Sequence, residues 1–122
     1  IYEGDNDLSD GLPQSEILSS AQALFADIAQ RLPDANVVVL APKPSLARQH
    51  LAKECRLLSE ALGHEARRRG FAFVDFWDVM HLADGALDAG LFVGDGLHLN
   101  QKGYDTWVET LRRELPWLDP RR

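Results

Sequence analysis

An aspartate and a histidine near the C-terminus have the spacing of an acid–base pair. They are Asp95 and His98, in the segment 94–100 that reads GDGLHLN. In a loop made flexible by glycine, Asp95 can fold back and accept the Nδ1 proton of His98, which fixes the imidazole tautomer and leaves Nε2 as a general base. The same residues also fit an Asx turn at Asp95 beside a structural histidine at a helix start. The motif alone therefore indicates either a base with its orienting carboxylate or a polar turn.

A polar segment near the other end of the chain could bind a developing negative charge. Gly4, Asp5, Asn6 and Asp7 directly follow a short stretch typical of a strand end. Ligands of open α/β sheets bind beyond the C-terminal ends of strands, so the amide of Asn6 could donate an N–H to an oxyanion there. Because glycine, aspartate and asparagine also favour turns for backbone reasons, a simple polar turn is the alternative.

Strand-like and helix-like segments alternate along the chain. Unbroken apolar runs predict buried strands, and apolar residues at helical spacing predict helices. Residues 1–3 are predicted to be the end of a strand, and 37–41 and 71–76 to be whole strands. The predicted helices cover 14–32, 46–69 and 101–115. Residues 4–13 are predicted to be a loop, and 77–96 to be irregular with a short helical turn near 77–80. Alternation of this kind indicates an α/β fold with a parallel sheet.

Two residues have the character of helix N-caps. Ser45, at the end of the rigid loop 42–45, is predicted to cap the second helix, and Asn100 the last one. The Asn100 cap would place the Asp95–His98 segment immediately before a helix.

Composition excludes several classes of protein. The chain has 122 residues, so it forms one domain at most. Its formal net charge is −6, and it lacks the dense basic patch that nucleic-acid binding needs. Arg67, Arg68 and Arg69 fit the end of a helix, where cations interact favourably with its dipole. No apolar run approaches the roughly 20 residues that span a bilayer. Cys55 is the only cysteine and is predicted to be a buried thiol, and the four scattered histidines indicate no zinc site.

Taken together, the two polar segments resemble the SGNH, or GDSL-type, serine ester hydrolases. Gly4-Asp5-Asn6-Asp7 is similar to the Gly-x-Asn-Asp block of that family. Asp95-Gly96-Leu97-His98 is similar to its last block, Asp-x-x-His followed by a closing helix. The resemblance covers the whole chain, and 43–48 also resembles a segment of one bacterial branch, with no catalytic role assigned.

The resemblance implies a fold and a set of roles. The fold would be a flavodoxin-like α/β/α sandwich around a five-stranded parallel sheet, whose last three strands are those visible here. By matching position His98 would be the general base, Asp95 would orient it, and Asn6 would donate to the oxyanion, with Gly4 and Asp7 supporting that loop. The substrate would be a small-molecule ester, and no metal or organic cofactor is implied.

The nucleophile that the family requires is missing from the sequence. In the family it lies in an N-terminal Gly-Asp-Ser block, and no serine of this chain stands in such a block. Residues 1–122 are therefore expected to form one SGNH-like domain without its N-terminal portion, inactive alone because a base without a nucleophile forms no acyl-enzyme. Ser9 lacks the sharp strand-to-helix turn that exposes an activated serine.

Two alternatives of other classes stay open. An SGNH-like fold could be kept for binding alone, without catalysis. The other alternative is a calcium-binding loop spanning 5–16. The ligand positions of an EF-hand-like loop would be taken by Asp5, Asp7, Ser9 and Glu16. Asp10, however, stands where such a loop has its turn glycine.

Overall fold

The structure, a computed structural model, describes residues 1–119, and these belong to two compact units. The first unit contains Ile1–Lys43 and His50–Asp75. The second contains Pro44–Gln49 and the chain from Phe76 onward. No helix in the described part of the chain is both long enough and apolar enough to cross a membrane.

The first unit is built on a small parallel sheet. Strand β1, Val38–Leu40, pairs in parallel with β2, Ala72–Val74. On the other side of β1, Tyr2 forms a parallel bridge to Leu40, whose N–H donates to the carbonyl of Ile1 over 2.8 Å. Three chain segments therefore run parallel with β1 in the middle, which confirms the predicted strands, although their regular parts are shorter.

Three helices belong to the same unit. They are α1 (Asp5–Ser9), α2 (Gln14–Arg31) and α3 (Ala52–Arg68). Helix α3 packs against α2 and against both strands. The core between them is apolar, and its buried members include Phe25, Leu58, Leu62, Val39 and Val74.

Helix α1 corrects the prediction that residues 4–13 form a loop. Gly4 has a φ of +111°, a backbone conformation that residues with a Cβ rarely adopt. It turns the chain sharply from the Tyr2 strand into α1, and the N–H of Leu8 donates to its carbonyl. The helix is stabilised because Leu8 is buried, a contact that the polar local sequence does not indicate.

The predicted Ser45 cap is wrong. A 3₁₀ turn at Gln49–Leu51 precedes α3, so the helix begins well after Ser45. A cap at Ser45 would accept from the N–H of Ala47 or Arg48. The Ala47 N–H instead donates to the carbonyl of Gly96, and that of Arg48 to the backbone carbonyl of Ser45. Ser45 is buried, and its Oγ has no partner among the described residues.

The second unit centres on α4, Gln101–Glu114, and short 3₁₀ turns at Asp78–Met80, Ala89–Leu91 and Pro116–Leu118. The rings of Phe76 and Trp107 stack with centroids 3.9 Å apart, and Met80 is fully buried. The turn predicted near 77–80 is confirmed. The predicted cap is confirmed as well, because the side chain of Asn100 accepts from the N–H of Gly103 over 3.0 Å.

Candidate active site

Asp95 and His98 are in direct contact in the loop before α4. One carboxylate oxygen of Asp95, Oδ1, accepts from the backbone N–H of Leu97 at 2.8 Å and of His98 at 3.0 Å. The other, Oδ2, lies 2.6 Å from Nδ1 of His98. The carboxylate therefore forms the Asx turn and holds the imidazole at the same time.

The charge state of Asp95 decides which imidazole nitrogen carries the proton. The hydrogen bond from His98, reinforced by the two backbone N–H groups, lowers the pKa of Asp95 from 3.8 to about 2. An ionised carboxylate only accepts hydrogen bonds, so the proton of the short contact belongs to Nδ1. A neutral His98 in this arrangement has its lone pair on Nε2, where a general base needs it.

Both side chains of the pair are open to solvent. That of His98 is 71% exposed and that of Asp95 47% exposed. Ion pairs between exposed side chains contribute little to stability, because water and salt screen them. Stabilisation of the fold is therefore a poor reason for this contact, and orientation of the imidazole is a better one.

Gly96 allows the loop to adopt this shape. Its φ is +65°, and a Cβ there would lie 3.1 Å from the Cβ of Leu46. The carbonyl of Gly96 accepts the N–H of Ala47 over 3.0 Å. The segment 43–48, which had no predicted role, thus supports the Asp95–His98 loop through Leu46 and Ala47.

Asn100 fixes the loop from its C-terminal side. Its side-chain amide donates to the carbonyls of Gly90 and Phe92 at 2.8 and 3.2 Å, while its oxygen caps α4. The N–H of Val93 donates to the carbonyl of His98. These hydrogen bonds hold both ends of the loop, so the position of the Asp95–His98 pair is well supported by the surrounding backbone.

The second predicted segment lies in the first unit, at the end of the Tyr2 strand. Gly4 is buried, Asp7 is partly buried, and Asn6 is exposed in the first turn of α1. The backbone carbonyl of Asn6 accepts the N–H of Asp10 over 2.8 Å. Asn6 therefore stands at the C-terminal end of a parallel strand, as predicted.

Sequence reasoning missed an ionic contact next to Asn6. Nζ of Lys43 lies 3.5 Å from Oδ2 of Asp5, and both side chains are largely buried. The signal that could have indicated it is a lysine three residues after β1, since a charged side chain that becomes buried is usually paired.

The described residues do not assemble a metal site. No group of three or more histidine, cysteine, aspartate or glutamate side chains within 1–119 is placed to hold an ion. Asp5–Ser9 is helical, and Asp5 pairs with Lys43. The EF-hand-like reading of 5–16 does not fit this geometry. Cys55 is buried as predicted; its Sγ lies 3.4 Å from the carbonyl of Pro42, and burial raises the pKa of its thiol to about 12.

No serine in the described part of the chain is hydrogen-bonded to His98, whose ring contacts Asp95. Ser9 is the last residue of α1. Asp95 and His98 therefore form a hydrogen-bonded pair to which no serine of these residues is joined.

Solved structures with a similar fold include proteins from two bacteria. One is a protein from Streptococcus pneumonia named as a candidate platelet activating factor, with a TM-score of 0.80 at 22% identity. The other is a GDSL-like lipase from Bacteroides thetaiotaomicron, with a TM-score of 0.73 at 18% identity. Each alignment covers 93% of this chain but only 57% and 58%, respectively, of the other protein.

These likenesses confirm the predicted α/β fold class. Among curated proteins, none matches the chain. The model of the GDSL-like lipase/acylhydrolase family matches residues 1–106, which include both polar segments. This chain belongs to the GDSL-like lipase/acylhydrolase family.

Proposed function

We propose that this chain is the part of a serine ester hydrolase that supplies the catalytic Asp95–His98 pair and the oxyanion-binding Asn6. The observation that carries the proposal is the 2.6 Å contact between Asp95 Oδ2 and His98 Nδ1. It is the contact that a serine hydrolase uses to orient its general base. Membership of an acylhydrolase family supports ester bonds as the target.

The proposed reaction proceeds in two acyl-transfer steps. In the first, Nε2 of His98 removes the proton of a serine hydroxyl while the serine oxygen attacks the ester carbonyl. The same proton then passes to the departing alcohol. In the second, His98 removes a proton from water, the water oxygen attacks the acyl-serine, and the proton passes to the departing serine oxygen as the acid is released. Asp95 stays ionised and stabilises the imidazolium that forms in each step.

Asn6 would act on the negative charge of the carbonyl oxygen. The side-chain amide of an exposed asparagine at the end of a parallel strand can donate an N–H to a tetrahedral oxyanion. Gly4 provides the turn that begins α1, and Asp7 lies in the same helix. Removal of one such donor lowers kcat by roughly 10²–10³.

The nucleophilic serine would come from polypeptide outside this chain. Two observations support this: no serine here lies in a Gly-Asp-Ser block, and the chain spans 57% and 58% of the two similar solved proteins. The N-terminal segment of its own domain is therefore the partner that would complete the site. Without it the Asp95–His98 pair has no hydroxyl to activate, and the chain alone would be inactive.

The test compares this chain alone with an intact protein in which a Gly-Asp-Ser segment precedes it, using p-nitrophenyl acetate as substrate. We expect saturable turnover from the intact protein and none from the chain alone. The control replaces the serine of the Gly-Asp-Ser block with alanine. Saturable turnover by the chain alone that Ser9→Ala abolishes would contradict the assignment of the nucleophile. A folded intact protein that binds esters without turnover would indicate a binding domain instead.

A further inference from the structure

A largely buried ion pair joins the loop after β1 to the start of α1. Nζ of Lys43 lies 3.5 Å from Oδ2 of Asp5, and the two side chains are only 10% and 14% exposed. Lys43 follows β1 by three residues, and Asp5 is the residue immediately before Asn6. One member of the pair, Asp5, is therefore joined by a peptide bond to the proposed oxyanion donor.

Tyr2 connects the same two residues through its hydroxyl. The hydroxyl donates to Oδ2 of Asp5 over 3.4 Å and accepts the backbone N–H of Lys43 over 3.3 Å. Tyr2 is itself held in the sheet by its bridge to Leu40. The carboxylate of Asp5 is thus linked to the sheet through the side chain of Tyr2 and to the loop after β1 through that of Lys43.

Stability alone does not account for this arrangement. Taking a lysine and an aspartate out of water has a large desolvation penalty, and an apolar pair of similar size would usually stabilise a fold as well. Buried ionic groups have their best-attested use in fixing one geometry among several. The geometry that this pair fixes is the start of α1.

The turn at Gly4 gives that start its direction. Gly4 is buried with a φ of +111°, and a Cβ there would lie 3.0 Å from Cδ2 of Leu58. The chain leaves the sheet at Tyr2, turns at Gly4 and enters α1 at Asp5. A shift of Asp5 would therefore shift Asn6, which is the next residue of the same helix.

We infer that Lys43 and Tyr2 are positioning residues for Asn6, because they bind Asp5 and so fix the orientation of α1 at the end of the sheet. This inference rests on the proposed function of Asn6. It assigns a role to the first residue of the 43–48 segment, and it predicts an effect on the rate of the chemical step rather than on substrate affinity.

A double-mutant cycle in the intact protein tests the coupling. Lys43→Met should lower kcat roughly 10- to 100-fold, since a misplacement of about 1 Å can have that effect, with little change in KM. Lys43→Arg should restore most of the loss. In an Asn6→Ala background, Lys43→Met should cause no further loss, because the group it positions is absent. Lys53→Met, at an exposed position of α3, is the matched control and should leave kcat unchanged.

Equal losses from Lys43→Met with and without Asn6 would overturn the inference. If Asn6→Ala itself leaves kcat unchanged, the proposed function of Asn6 fails, and the positioning claim is decided by hydrogen exchange. Exchange at the N–H groups of Leu8 and Asp10, which bond within the α1 region, should be roughly tenfold faster or more in Lys43→Met and in Tyr2→Phe. The amides of Leu58 and Leu62 in α3 should keep their protection. Unchanged exchange in α1 in both variants would overturn the positioning role.

Discussion

Asp95 binds His98 through both of its carboxylate oxygens. Oδ1 accepts the backbone N–H of His98, and Oδ2 holds its imidazole Nδ1 at 2.6 Å. Because Oδ1 also accepts the N–H of Leu97, the carboxylate plane cannot rotate without breaking backbone hydrogen bonds. The contact that orients the imidazole is therefore fixed before any substrate binds, which is the condition for an effective general base.

The titration of Asp95 should reveal this contact. The hydrogen bond from His98 is the largest cause of the lowered pKa, and the N–H groups of Leu97 and His98 are the next. We expect a midpoint of about 2 for the Asp95 carboxyl by carbon NMR. His98→Ala should raise it toward 3.8 without reaching it, since the backbone N–H groups remain.

The sign of the linkage follows from the lowered pKa. The Asp95–His98 contact is fully present above the ordinary value of 3.8 and is lost as the pH falls toward about 2. Asp95 therefore stays charged throughout the neutral range. A midpoint near 3.8 in the unsubstituted chain would mean that the contact does not form in solution.

Asn100 should be the most sensitive polar residue of the loop. Asn100→Ala removes the cap of α4 and both bonds to the carbonyls of Gly90 and Phe92. Loss of the cap alone lowers the free energy of unfolding by about 1–2 kcal/mol, and the carbonyls left without donors add to it. Urea unfolding measures the change.

Asn100→Asp separates the two contributions. It keeps the oxygen that accepts from Gly103 but has no N–H for the two carbonyls, so we expect an intermediate loss. Asn36→Ala, at an exposed position, is the control and should change the free energy of unfolding by less than about 0.5 kcal/mol. Equal stability of the Asn100→Ala and Asn36→Ala variants would show that the loop does not depend on this residue.

Gly103→Ala should destabilise the second unit although Gly103 lies inside a helix. Alanine is normally favoured over glycine in a helix interior by about 1 kcal/mol. Here a Cβ would collide with the carbonyl oxygen of Leu91, and it would also lie 3.0 Å from the Cβ of Leu99. We expect a net loss of about 1–3 kcal/mol in the free energy of unfolding. Gly94→Ala, where a Cβ meets nothing within 4 Å, is the matched control, and a stabilising effect of Gly103→Ala would refute the close packing.

Glu65 should make the first unit sensitive to acid. Its side chain is 5% exposed and binds Arg68 at 2.6 Å and Arg69 at 3.2 Å. Hydrogen bonding from Arg68 is the main cause that lowers the pKa of Glu65 from 4.5 to about 2. The stabilisation is thus present above pH 4.5 and is lost as the pH falls toward 2.

Thermal unfolding at several pH values tests this dependence. Glu65→Gln should flatten the fall in Tm between pH 4.5 and 2, because a neutral amide does not titrate. Glu60→Gln, on an exposed glutamate that pairs with Arg56, should leave the slope nearly unchanged. The same slope in the Glu65→Gln variant and the original chain would assign the acid sensitivity to other groups.

Local contacts were predictable from the sequence. Asp95 and His98 are three residues apart, so a single turn brings them together, and Asn100 caps the helix that begins at the next residue. The helices at 14–31 and 101–114 and the strands near 38–40 and 72–74 follow from the spacing of apolar residues.

Contacts between distant residues were not predictable in the same way. The Lys43–Asp5 pair and the Ala47–Gly96 hydrogen bond join residues far apart in the sequence, and nothing in the local pattern identifies the partner. The Ser45 cap was wrong for this reason, because Ala47 donates to Gly96. The short helix α1 was missed because the buried position of Leu8 stabilises a polar segment that otherwise favours a turn.

The central claim is that His98 is the general base for a serine, and the acylation burst tests it most directly. The intact protein, mixed with p-nitrophenyl acetate in a stopped-flow instrument, should release a burst of p-nitrophenolate as the serine is acylated. His98→Ala should leave the far-UV circular dichroism unchanged and lower the acylation rate by a factor of roughly 10⁴ or more. A burst of unchanged rate in the folded His98→Ala protein would contradict the account.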